Sequence, residues 1–415
     1  MQQILTLFKQ PQSRLALFGT ALEYYDYTLY GFCAGLLAQN LFPDLAQESA
    51  LLHTYLLFCA GSLAKPLGAL IFGWIGDLYG RRLALRWSML GIVLPTLVIT
   101  ALPTRLHSTL AMIIVLLARV LQGIFIAGES DGVRIRLYES NPAQHPFVNN
   151  VIVGLSCYIG IFLASQGAFI AKQFPNYWRF PFLIGGILGL LLLKARRQLT
   201  ESPHFQRSET FWIKPDYRSL LSVIMICGAV GGTYHLFFVY QPTYWTSILS
   251  IMSASQAQSL ISLCLTLYCP ALLVAAFLSE RYRGEVVFIS GTLLALLLAP
   301  LLWLSASPNL PLLVSLSLCL ALMHAPGYVL LMQQFPMTSR YRHMSVGHSL
   351  GSLLMSGTAP LIATYCWQTW HTPLSLVYHL MILLGIGLIG IFIGPMAKSK
   401  TLSGTTTYHP FEKDK

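Results

Sequence analysis

Charged residues are scarce in this chain: Asp, Glu, Lys and Arg together make up 10% of its 415 positions, against 55% hydrophobic residues. Water-soluble domains carry about 25% charge, so this balance excludes a string of ordinary globular units and indicates a polytopic membrane protein. Acidic side chains are missing altogether from the interiors of the last six apolar stretches, which confines carboxylate chemistry to the first half. Cysteine offers no framework either. Cys33, Cys59, Cys157, Cys227, Cys264, Cys269, Cys319 and Cys366 fall singly in apolar stretches, without loop pairs or metal-ligand spacing. They read as reduced packing residues, and no metal or cofactor is expected. A nucleophile motif in context is also lacking, so the chain does not read as an enzyme. Its first apolar stretch holds Glu23 and Asp26, unlike the unbroken centre of a cleavable signal peptide, and is expected to be retained.

What the chain has is length of apolar run. Crossing roughly 30 Å of hydrocarbon takes about 20 residues. Twelve stretches meet this, near 15–37, 51–75, 83–102, 109–133, 148–172, 180–194, 219–241, 258–278, 286–305, 310–333, 345–366 and 374–394. If the N-terminus is cytoplasmic, the outer segments hold only Arg105, Lys172 and Arg179, while Lys65 and Arg119 lie within spans and all other Lys and Arg face inward. This bias predicts both termini in the cytoplasm. The net charge of +11 then follows from orientation and anionic lipid headgroups, and no nucleic-acid partner is called for.

The longest polar interruption, Lys194 to Arg218, splits the chain into six spans plus six. The expected organisation is a bundle over 1–193, a cytoplasmic linker over 194–218, a second bundle over 219–397 and a cytoplasmic tail over 398–415. Weak internal similarity points to duplication. FGWIGDLYGRR after span two has a degraded counterpart in FLSERYRGE after span eight, where Glu280 stands for Asp77; Val153 and Gly154 open span five as Val346 and Gly347 open span eleven. Parallel halves of this kind place a substrate site at their interface near the midplane.

The hinge between spans two and three holds Gly73, Gly76, Asp77, Gly80, Arg81 and Arg82. So short a polar loop, with its glycines and an acid before two arginines, implies two helix ends packed tightly together. The string GWIGDLYGRR resembles the corresponding loop of the major facilitator superfamily. Other stretches resemble its metabolite:proton symporter branch, which includes carriers for proline and betaine, citrate, oxoglutarate and shikimate. These are GTALEYYDYTLYGF (Gly19 to Phe32), RVLQGIFIAGESDG (Arg119 to Gly132), LTESPHF (Leu199 to Phe205), FVYQPTYW (Phe238 to Trp245) and the run from Gln334 to Tyr365. They occur in the right order over nearly the whole chain. The sequence departs from the branch pattern at Leu78, Ala127, Gln333, Arg134 and Arg136, and Pro146 and Phe147 stand where an Arg-Gly pair is expected.

An ionised group at mid-membrane costs on the order of 2.5–3.5 kcal/mol on insertion scales, so its helix is expected to face a polar cavity. Glu23 and Asp26, at i, i+3, share a face of span one, with Tyr27 and Tyr30 nearby. Two close acids discourage double ionisation, as a proton carrier requires. The structural alternative has Glu23 capping neighbouring polar groups and Asp26 paired with a cation. In span four Arg119 and Glu129 lie about 80° apart on a helical wheel. By the resemblance and by cost, Arg119 leads as the holder of a substrate carboxylate, with an internal ion pair as its alternative. Gly123, Gly128 and Gly132 read as close helix contacts, because no strand precedes them as a phosphate cradle needs.

In the hinge, Asp77 is expected to accept from the N-terminal amides of a neighbouring helix while Arg81 and Arg82 bond inner helix ends, with Gly73 and Gly80 allowing close approach. Simple positive-inside anchoring is the alternative. In the second half Tyr234 and Gln241, seven apart, share a helical face as candidate cargo contacts, while His324 and His348 read as hydrogen-bonded packing residues or relays.

The resemblance implies an all-α membrane protein of twelve transmembrane helices in two pseudo-symmetric six-helix bundles. It implies a monomeric carrier in the bacterial inner membrane, in contact with lipid. Such a carrier performs proton-coupled symport of an organic acid, amino acid or zwitterionic osmolyte by alternating access. Proton coupling falls to Glu23, Asp26 and Glu129, and substrate contact to Arg119, Tyr27, Tyr30, Tyr234 and Gln241. Gating falls to Gly73, Asp77, Gly80, Arg81 and Arg82. An uncoupled facilitator or exporter, or a transporter-like sensor, are the alternatives.

Overall fold

The computed structural model describes residues 10–42, 44–103, 106–140, 145–202, 205–208, 216–304 and 308–394. The tail expected over 398–415, part of the linker, and Lys9, Arg105 and Lys214 lie outside the described residues.

Twelve helical rods run back and forth among the described residues. They are α1 (Pro11–Phe32, extended past Cys33 by Ala34–Leu41), α2 (Gln47–Leu78), α3 (Arg81–Ala101), α4 (Ser108–Ile126, resumed at Ser130–Ser140), α5 (Pro146–Gln173) and α6 (Arg179–Ala195). The second set is α7 (Tyr217–Tyr234, continued by π turns at His235–Tyr240 and Tyr244–Ile248), α8 (Ala254–Arg281), α9 (Gly284–Leu304), α10 (Leu310–Met332), α11 (Arg340–Gly351, a π segment Ser352–Ser356, then Ala359–Trp370) and α12 (Leu374–Ile393). Ten of these rods are apolar and long enough by themselves to cross a membrane. α1 falls short because Glu23 and Asp26 interrupt it. α11 falls short because the polar run from Arg340 to Ser352 and a π segment break its apolar length.

Helix starts follow local chemistry. Pro11, Pro146 and Pro311 occupy first turns, where a missing N–H costs nothing. Ser253 and Gln256 form a reciprocal capping box on α8. Asp216 caps α7, accepting from the Arg218 amide at 3.2 Å; a hydrogen bond from Ser219 Oγ holds its carboxyl below the ordinary carboxylate value.

Large apolar side chains such as Leu63, Phe162, Leu191, Leu297 and Leu361 point outward, as they do where the surroundings are lipid. Inside, small residues let backbones touch. A Cβ on Gly160 would run into the Ala21 carbonyl of α1, and one on Gly123 into the Gly61 carbonyl of α2. Gly128 and Gly132 abut Phe72 and Tyr341, so all three glycines of the α4 region serve close contact. The apolar interior divides unevenly. Leu29, Tyr30, Leu37, Val115 and Phe182 belong to a cluster confined to one end of the first six helices. At the other end Ala16, Phe72, Leu85 and Val133 merge with the interior of the second six. Arg81, Arg136, Arg196, Arg340 and Arg342 gather at this merged end, called here the basic end.

Candidate functional site

α1, α3 and α4 build a buried polar chain in the first half. Asp26 accepts from Thr96 Oγ1 at 2.7 Å and from Gln122 Nε2 at 2.8 Å, and Gln122 Oε1 accepts from Arg119 Nη1 at 2.9 Å. An acid and a guanidinium are thereby joined through a neutral amide. The Arg119 guanidinium lies 4.5 Å from the Tyr30 ring centroid and 5.1 Å from that of Tyr27, a cation–π arrangement out of water. The Tyr27 ring also carries Lys65 Nζ at 4.2 Å, and its hydroxyl bonds Ser62 of α2. Arg119 and Tyr30 are buried, whereas Tyr27 and Lys65 are half-buried. The accessible cation of this group is therefore Lys65. The sequence placed Lys65 within a span without giving it a role; the cost of an ammonium at that depth was the available signal.

Glu23 and Asp26 are both buried, but their neighbours separate them. Asp26 is held by Thr96 and Gln122. Glu23 Oε2 has no hydrogen-bond partner among the described residues. The wheel relating Arg119 to Glu129 also fails, because α4 is interrupted at 127–129. Beyond the break Glu129 accepts from Ser88 Oγ at 2.8 Å and from both terminal nitrogens of Arg196, one of them at 2.7 Å. Arg196 also donates to the Leu85 carbonyl at 2.7 Å and is fully buried. Sequence reasoning read Arg196 as one of several inward-facing anchors. The clue was Glu129 itself, a mid-chain carboxylate that needs a counter-ion when buried.

In the second half Tyr234 is half-buried among Tyr158, Phe238 and Tyr268, with ring centroids at 6.0, 5.0 and 6.4 Å. His324 spends both ring nitrogens within this cluster, on Tyr268 Oη at 2.6 Å and Thr233 Oγ1 at 3.0 Å. His235 bonds the Gly231 carbonyl at 2.8 Å and Ser356 Oγ at 2.9 Å. The shared face expected for Tyr234 and Gln241 is not kept, because the π turn at His235–Tyr240 changes the helical period between them. Gln241 is buried, and its Oε1 has no hydrogen-bond partner among the described residues.

At the basic end the halves are bolted together. Asp77 accepts from the backbone amides of Tyr341 at 3.3 Å and Arg342 at 3.1 Å, the first turn of α11. Arg81, fully buried, donates to Asp77 at 2.9 Å, to both oxygens of Glu139 at 3.0 and 2.9 Å, and to the Met337 carbonyl of the second half at 2.9 Å. Arg340 reaches the same Glu139 at 3.3 Å. Gly73 and Gly76 lie against the Arg342 backbone and the Tyr341 ring, leaving no room for a Cβ.

Gly80 turns the hinge at φ 104° and ψ 155°, a region open to glycine. Glu201 of the linker then accepts from the amides of Arg81 at 3.0 Å and Arg82 at 3.1 Å, closing the start of α3. Arg82 thus contributes its backbone. A matching contact sits on the other side of the interface, where Glu280 at the end of α8 accepts from the Phe147 and Val148 amides of α5 at 2.8 and 3.2 Å. Asp77 and Glu280, paired in the sequence repeat, therefore perform the same contact in opposite directions.

Residues 13–214 match the family described as sugar (and other) transporter. A putative proline/betaine transporter of Staphylococcus aureus is 29% identical over 96% of this chain and 91% of its own. The citrate-proton symporter of Klebsiella pneumoniae is 28% identical over 83% of each chain. The inner membrane metabolite transport protein YhjE of Escherichia coli is 28% identical over 92% of this chain and 90% of its own. Among solved structures, the proton:xylose symporter XylE bound to 6-bromo-6-deoxy-D-glucose superposes with a TM-score of 0.74 at 14% identity, covering 94% of this chain and 95% of that one. The human organic anion transporter MFSD10 gives 0.66 at 17% identity, covering 92% and 98%.

Proposed function

We propose that this chain is a multi-spanning membrane transporter of the major facilitator superfamily that performs proton-coupled symport of a small metabolite bearing a carboxylate. The observation that carries this reading is the half-buried Lys65 over the Tyr27 ring, backed by buried Arg119. A cation in that position attracts an anionic group into the space between the bundles. Arg119 adds positive potential from behind, and Tyr30 holds it there. Proline, betaine and citrate, the compounds in the relatives' names, all carry carboxylates. A cationic nitrogen on the same cargo would rest against the rings of Tyr234 and Tyr158, with Gln241 further along α7 as a polar contact.

Protons enter through Glu23 and Asp26. A carboxylate gained by cargo at Lys65 weakens that cation's hold on Glu23, so cargo and proton bind together. Glu129 stays tied to Arg196 and takes part when the basic end opens. Gly73, Asp77, Gly80, Arg81 and Arg82 form the gate at that end; the excess of Lys and Arg there supports a cytoplasmic face, and the reading is of a monomeric carrier in a bacterial inner membrane.

Uptake of radiolabelled proline, betaine and citrate into proteoliposomes, with and without an imposed pH gradient, tests this. Accumulation that needs the gradient, is lost in Lys65→Gln and in Glu23→Gln, and leaves cargo exchange in Glu23→Gln is the expected result. Gradient-independent uptake would make the chain a facilitator, and full accumulation by both Glu23→Gln and Asp26→Asn would remove the coupling assignment.

A further inference from the structure

One buried charge pair lies outside the roles given above and joins the two halves. Asp131 opens the second segment of α4, in the first half; His348 lies on α11, in the second. His348 Nδ1 stands 2.8 Å from Asp131 Oδ1 and 3.0 Å from Oδ2, while Tyr328 Oη of α10 stands 2.9 Å from Nε2. The Asp131 side chain is 2% exposed and that of His348 20%, so the imidazole keeps a path to water. Arg134 lies 4.1 Å from the Tyr328 ring centroid and is fixed by Asn150 Oδ1 at 2.7 Å.

We propose that Asp131 and His348 form a proton-binding clasp between the halves, one that holds a proton while the basic end is closed and gives it up when the halves part. The inference rests on the alternating-access reading. Its geometry suits both charge states. Nδ1 donates to the carboxylate throughout. Nε2 accepts from the Tyr328 hydroxyl when the ring is neutral and donates to the same oxygen when the ring is protonated, so a proton comes and goes without moving a heavy atom. With the proton, an imidazolium faces a carboxylate across the interface. Without it, one hydrogen bond to a neutral ring remains, and the attraction falls.

Other groups bear on the pair from each neighbouring helix. Arg134 shares α4 with Asp131; Glu23 and Tyr24 approach from α1; Cys157 of α5 and Cys227 of α7 surround Arg134 and Tyr328; Tyr341 lies on α11 itself. Lys65 and Asp77 of α2 are engaged with Tyr27 and with the α11 amides. Asp131 is thus the one carboxylate within ion-pair distance of His348 among the described residues. Parting α4 from α11 takes that carboxylate away from the imidazole, and the proton leaves with the contact.

The test is a distance between spin labels placed at exposed Leu83 and Gln333, one at the basic end of each half, in full-length protein without native cysteines, reconstituted in lipid. Lowering the pH from 8 to 5 is expected to raise the closed-to-open ratio about five- to thirtyfold. His348→Gln and Asp131→Asn should each flatten that response, and His348→Lys should hold the closed distance at both pH values. A parent-like pH response in both His348→Gln and Asp131→Asn overturns the clasp. Absence of gradient-driven uptake with the pH-dependent distance intact would instead overturn the transport reading and leave the clasp standing.

Discussion

Glu129 and Arg196 show what a single side chain commits the fold to. Each is fully buried, and each neutralises the other across α4 and the end of α6. Removing one partner strands a charge away from water, at about 3–5 kcal/mol. Arg196→Gln is therefore expected to lower the thermal unfolding midpoint in detergent sharply, and the double variant Glu129→Gln/Arg196→Gln to recover most of the loss. An equal midpoint for single and double variants would show that a stranded charge is not the source of the loss. The acid of this pair was legible in the sequence because its cost in lipid singles it out. Its partner was hidden among neighbouring basic residues that one-dimensional counting treats alike, and distance in space alone tells Arg196 from Arg197. Lys65 escaped for a different reason: only the Tyr27 ring and the Arg119 guanidinium on the same ring turn an isolated lysine into part of a site.

At the scale of elements, breaks decide what the helical wheel can see. The rods themselves follow from apolar length, and so do the capped starts. The π turns do not, although two of the three have a chemical cause in view. Pro242 follows His235–Tyr240 and Pro360 follows Ser352–Ser356, and a proline cannot donate to the carbonyl four residues back. The break in α4 has Gly128 beside Glu129 and no proline, and its signal was correspondingly weaker. The hinge between α2 and α3 was readable as a tight junction, but its closure by Glu201 joins residues 119 or more apart. Gly80→Ala places a side chain in a backbone region that costs about 1–3 kcal/mol. Glu201→Ala removes a cap worth about 0.5–2 kcal/mol. Both are expected to lower the unfolding midpoint and to speed proteolysis at the hinge, with Gly80→Ala the more severe; a hinge as resistant as the parent's in both would refute this account.

For the molecule as a whole, the merged apolar interior at the basic end and the acid-to-amide contacts there describe one closed arrangement. Two of these contacts are related by the internal repeat. Asp77 holds the start of α11, and Glu280 holds the start of α5. They share no partner, so their effects on closure should combine independently. Asp77→Asn and Glu280→Gln are each expected to lower the closed-to-open ratio between labels at Leu83 and Gln333, by about fivefold, and the double variant by the product. A double variant no more open than either single one would mean that one contact alone bears the closure. The repeat was visible in sequence as a degraded string with one acid in register. That the lost glycines left the contact intact required the fold, since an N-terminal helix turn needs only the carboxylate.

Reciprocal reach has a bearing on assembly. Because each bundle lends an acid to the other and receives one in return, mutual recognition is written into both faces and does not depend on their covalent tether. Severed between positions 208 and 216 and made together as two polypeptides, the pieces should find one another in the membrane and co-purify through a tag on either. Exchanging Asp77 and Glu280 for amides in the severed pair should let them drift apart.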